Sequence, residues 1–99
     1  VSGRREEQGE DMPTHEDTLA QLYQGVESCT NIHNAIQHAH SMAANLSDVL
    51  RNSLGGTGAY DEVGGYSESV LTQLELSAQT VEQTRHAIET LMLRFDIVY

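Results

Sequence analysis

The chain has 99 residues, a formal net charge of −10, only 38% hydrophobic and 5% aromatic residues, and five basic residues that are all arginine. That length allows one domain with a modest core, for which oligomerisation is a natural complement. The charge balance excludes a protein built to bind phosphate backbones or anionic membrane surfaces, since both depend on clustered Lys and Arg.

Residues 1–13 hold Arg4, Arg5, Glu6, Glu7, Glu10 and Asp11 with almost no apolar side chain, and read as a disordered acidic tail. Met12 stands directly before the first helix signal, so the functional chain is expected to begin there. The polar N-terminus does not resemble a signal peptide. No apolar run approaches the ~18 residues of a membrane span. A cytoplasmic location is expected, with export by a route that uses no cleaved signal as the alternative.

The helical hairpin is expected over residues 14–99. "PTHED" opens the first helix, at about 14–54: Thr14 suits the N-cap, Asp17 falls at the third helical position, and Glu16 and Asp17 meet the positive end of the helix dipole. Between Thr14 and Leu54 the only glycine is Gly25, and Gly55 and Gly56 end the helix. Apolar residues recur at steps of three and four: Leu19, Leu22, Val26, Cys29, Ile32, Ile36, Ala39, Ala43, Leu46 and Leu50. The two successive steps of three at Val26, Cys29 and Ile32 predict a sideways shift of the seam there, as at a coiled-coil stammer. Cys29 is alone, forms no intrachain disulfide, and reads as a core residue.

"SLGGTGAYDEVGGY" carries five of the chain's 8 glycines. A phosphate loop follows a buried strand and usually ends on a lysine. Here a helix precedes and lysine is absent, so the stretch reads as a reversal over residues 55–66, with Tyr60 and Val63 docking over the hairpin end.

The second helix is expected at about 67–98. Leu74, Val81, Ile88 and Phe95 stand seven apart, flanked by Val70, Leu91 and Val98 on one side and by Leu71, Ala78 and Met92 on the other. An acidic stripe of Glu68, Glu75, Glu82, Glu89 and Asp96 runs beside them, and Arg85 can pair with Glu82 and Glu89. The expected core comprises Leu22, Val26, Ile36, Leu50, Leu74, Val81 and Ile88. The ending "LMLRFDIVY" spreads apolar residues around most of the helix. Leu93 and Ile97 lie off the Leu74 line, so Leu91, Leu93, Phe95 and Ile97 form the expected interaction patch. "FDIVY" also has strand propensity, which leaves a short pairing strand as an alternative.

His33, His38 and His40 cluster on the first helix, but none are four apart, the spacing a single helix uses to hold a metal. They read as surface or seam-edge residues, and a metal would need ligands from a second helix or chain. No catalytic residue, metal site or cofactor is expected.

The two long helices and the turn "LGGTGAYDEV" resemble the WxG-type helical-hairpin proteins of type VII secretion over roughly Thr14 to Val98. Leu54 stands where that family has Trp. Its Y-x-x-x-D/E signal does not occur after the second helix; Tyr23 to Glu27 has that spacing but lies inside the first. The fold class expected is all-α, a two-helix antiparallel hairpin completed to a bundle by self-association. The function expected is a non-enzymatic protein–protein interaction or assembly module, binding itself or a helical partner and no nucleic acid. The alternatives are a type VII secretion-like substrate or partner, a phage or mobile-element structural component, and a His-mediated metal-binding protein.

Overall fold

A computed structural model describes residues 14–98, with side chains described through residue 95. The expected tail at residues 1–13, the start at Met12 and the side chains of Asp96, Ile97, Val98 and Tyr99 lie outside the described residues. The fold is an all-α hairpin of two long helices, α1 (His15–Leu54) and α2 (Gly58–Val98). A helix of 40 residues is about 60 Å long. "FDIVY" continues α2 as far as Val98 rather than forming a strand.

The start of α1 follows from its cap. The Thr14 side chain accepts a hydrogen bond from the Asp17 backbone N–H at 3.0 Å, with Glu16 and Asp17 in the first turn. At the other end the Gly55 N–H donates to the Arg51 carbonyl at 2.9 Å. A Cβ on Gly55 would collide with that same carbonyl oxygen, and Gly56 takes a φ of 86°, which L side chains rarely adopt.

The reversal is shorter than the composition predicts. Instead of spanning 55–66 it occupies Gly55 to Thr57, and α2 begins at Gly58 rather than near Ser67. Thr57 makes this possible. Its hydroxyl donates to the Leu54 carbonyl at 2.6 Å and accepts from the Tyr60 N–H at 3.2 Å, so one side chain closes α1 and opens α2. Gly58, Gly64 and Gly65 sit inside α2, and the Tyr60 ring lies within 3.2–3.4 Å of where a Gly64 Cβ would stand. Tyr60 is half-buried as expected, whereas Val63 is exposed and does not dock over the turn.

The register follows from one polar contact: the Ser47 and Ser67 hydroxyls hydrogen-bond to each other between the helices, both side chains buried. Carried along the heptads, it sets Ala43 across from Leu71, Ile36 across from Ala78 and Leu50 across from Gly64. Each of these three levels pairs a small residue with a large one. On α2 the expected line of Leu74, Val81, Ile88 and Phe95 faces α1, joined by Leu71, Ala78, Arg85 and Met92, all at least half-buried.

On α1 the seam departs from the expected stripe. No stammer interrupts it. The covered positions run Leu19, Leu22, Val26, Cys29, His33, Ile36, His40, Ala43, Ser47, Leu50 and Leu54 in unbroken steps of three and four. Ile32 and Leu46, assigned to this seam by hydropathy, are 48% exposed, and His33 and Ser47 take their places. The expected core residues Leu22, Val26, Ile36, Leu50, Leu74, Val81 and Ile88 all face the partner helix, each half-buried. Among the described residues only Cys29, Ala43 and Met92 are buried hydrophobics, and no side chain is less than 2% exposed. Two helices do not enclose a core by themselves.

Candidate functional site

Three surfaces flank the seam. The first joins the α1 histidines to the acidic stripe of α2. His40 Nε2 lies 3.1 Å from Glu75 Oε2, and His33 Nδ1 lies 3.6 Å from Glu82 Oε2. His33 Nε2 is 3.2 Å from the Gln37 amide nitrogen. His38 is exposed on another side of α1. Arg85 reaches from within the seam to both neighbouring carboxylates, donating to Glu82 at 2.7 Å and Glu89 at 2.9 Å. Its hydrogen bond holds the Glu82 carboxyl below its ordinary pKa, opposed in part by desolvation; Arg85 itself is raised, chiefly by Glu82. Nearer the turn, Arg51 donates to Asp48 at 2.9 Å and is likewise raised, first by Asp48 and then by Tyr60.

Two shallow hollows open along this flank, of ≈ 370 and ≈ 300 Å³, and Ala78 lines both because its methyl leaves room between the helices. Both are open to solvent rather than enclosed. No group of three or more His, Cys, Asp or Glu converges to hold a metal among the described residues. Cys29 is buried in the seam as expected.

The second surface is the C-terminal patch. Leu93 is 61% exposed, and Leu91 is less so at 39%. Phe95 is turned inward instead: it is half-buried, its ring 5.4 Å from the His15 ring at the open end of the hairpin. The Ile97 side chain lies outside the described residues.

The third surface takes in Ile32, Ala39 and Leu46, which hydropathy assigned to the seam, together with Ala35, Met42 and Val49, which it left out. Ile32, Ala35, Ala39, Met42, Leu46 and Val49 follow steps of three and four along α1, on a line beside the seam. Met42 and Val49 are 54% and 60% exposed. The signal was in the sequence: the apolar residues of α1 are too many and too broadly spread for one seam.

No protein-family model, curated protein or solved structure matches this chain. No helix among the described residues is long and apolar enough to cross a membrane.

Proposed function

We propose that the protein is a non-enzymatic interaction module: a hairpin that completes its core with helices of another chain, as a dimer or as a subunit of a larger bundle. One observation carries this reading. Among the described residues the hairpin leaves no side chain fully buried, while large apolar residues from Ile32 to Leu93 remain exposed on both helices. Burying such a side chain contributes about 1.5–3 kcal/mol, and another helical surface is the simplest way to gain it. The acidic stripe at Glu75 and Glu82 is already engaged with His40 and His33 and would repel a copy of itself, so association avoids that flank.

The layout of two helices joined by a glycine-containing turn supports, as the specific variant of this reading, a hairpin of the WxG type that works as substrate or partner in type VII secretion. The chain would act in the cytoplasm or be exported from it without a cleaved signal. Sedimentation tests the general reading. The chain should sediment as an oligomer, or recover a helical partner from its native cell, and Leu91→Ser with Leu93→Ser should weaken association if the C-terminal patch is the contact. A monomer that recovers no partner removes the support for the reading.

A further inference from the structure

The outer line of α1 is not a scatter of exposed residues but a second seam. Ile32, Ala35, Ala39, Met42, Leu46 and Val49 keep the same alternation of three and four as the covered seam beside it. A helix with two adjacent seams contacts two neighbours at once, one on each. The first is α2.

The charge distribution bears on what covers the second. From Ser28 to Ser47, α1 carries no Asp, Glu, Lys or Arg, in a chain whose net charge is −10. The residues bordering the seam on its outer side, Asn31, His38, Asn45 and Asn52, are Asn or His rather than acidic. A basic partner would find no carboxylate to pair with here. A second acidic chain would find none to repel it, which is the condition two copies at −10 must meet to associate.

Shape agrees with charge. Reversed on itself about a twofold axis between residues 39 and 42, the seam sets Ala39 against Met42, Ala35 against Leu46 and Ile32 against Val49. Each alanine meets a larger side chain, as Ala43 meets Leu71 and Ala78 meets Ile36 inside the hairpin. This is the self-complementarity that an isologous interface requires.

We infer that a second copy of this chain occupies the outer seam of α1, the two α1 helices antiparallel, giving a four-helix bundle with α1 paired to α1. This rests on the interaction-module reading and names its partner and its face.

The test uses the full chain in sedimentation velocity, with circular dichroism alongside. Wild type should be a dimer at micromolar concentration. Met42→Glu and Leu46→Glu place a carboxylate where the lone hairpin is already wet, so helix content should hold. The dimer dissociation constant should rise by about 100-fold or more, because the charge would be buried without a partner. Leu76→Glu, at a similarly exposed site on α2 away from this seam, should leave the dimer intact. In a Cys29→Ala background, a mixture of Ala39→Cys and Met42→Cys chains should oxidise mainly to the mixed disulfide.

A dimer that survives both glutamates overturns this inference but leaves the broader reading standing, with the contact elsewhere. Predominant like-with-like disulfides overturn the antiparallel copy. A wild-type monomer at every concentration overturns the second copy altogether, and the broader reading then depends on recovery of a different partner.

Discussion

Ser47 and Ser67 hydrogen-bond to each other in the buried seam, the only two polar residues among those described that are less than 9% exposed. Both side chains are buried, so each hydroxyl depends on the other for its hydrogen bond. Removing one leaves the second short of a partner, which costs about 1–3 kcal/mol; removing both removes the debt. Ser47→Ala and Ser67→Ala should therefore each lower stability by about 1 kcal/mol, and the double variant by less than the two together. Urea unfolding of all four proteins measures the coupling. Strict additivity would mean that the pair does not act as a unit.

The two faces of α2 can be separated by adjacent substitutions. The Ile88 side chain packs close to Gly25, its Cδ1 3.4 Å from where a Cβ would stand, and Ile88→Asp should unfold the hairpin or disrupt its assembly. Glu89 points to the flank and makes a single i,i+4 pair with Arg85. Glu89→Ala should cost under about 0.5 kcal/mol. Equal loss of melting temperature in the two variants would contradict this assignment of faces.

Two glycines of the former loop respond in opposite directions. Gly65 is helical and has open space where a Cβ would go, so Gly65→Ala should stabilise the protein by up to about 1 kcal/mol. Gly56 also has space but holds a φ of 86°, so Gly56→Ala should destabilise by about 1 kcal/mol or more. If Gly65→Ala were the harmful change, residues 58–66 would not be helical.

Acid should weaken the Arg85–Glu82 contact. Arg85 depresses the Glu82 pKa, so this pair's stabilisation is complete above the ordinary carboxylate range and is lost as pH falls through the lowered value. Protonating the rest of the acidic stripe relieves repulsion and acts in the other direction, so the informative quantity is a difference. The gap in urea midpoint between wild type and Arg85→Met should narrow from pH 7 to pH 3. A gap independent of pH would show that Arg85 contributes through packing of its stem alone.

Features that depend on neighbours in sequence were legible without the fold. The Thr14 cap, the stop at Gly55 and Gly56, the line Leu74, Val81, Ile88 and Phe95, and the Arg85 pairs all arise within one or two turns of helix, where spacing decides the geometry. The extent of α2 was less so. Its glycines argue for a loop by propensity, but Thr57 supplies the cap and Tyr60 covers Gly64, so the helix starts at Gly58.

The seam of α1 was decided only in three dimensions. Two lines of residues on that helix, one through Ile32 and Leu46 and one through His33, His40 and Ser47, satisfy the same period. Hydropathy favours the first. The structure selects the second: Ser47 hydrogen-bonds to Ser67 and His40 to Glu75, with His33 set beside Glu82, and these partners all lie on the other helix. Periodicity records that a helix has a face to bury; which neighbour takes which face depends on complementarity between segments distant in sequence.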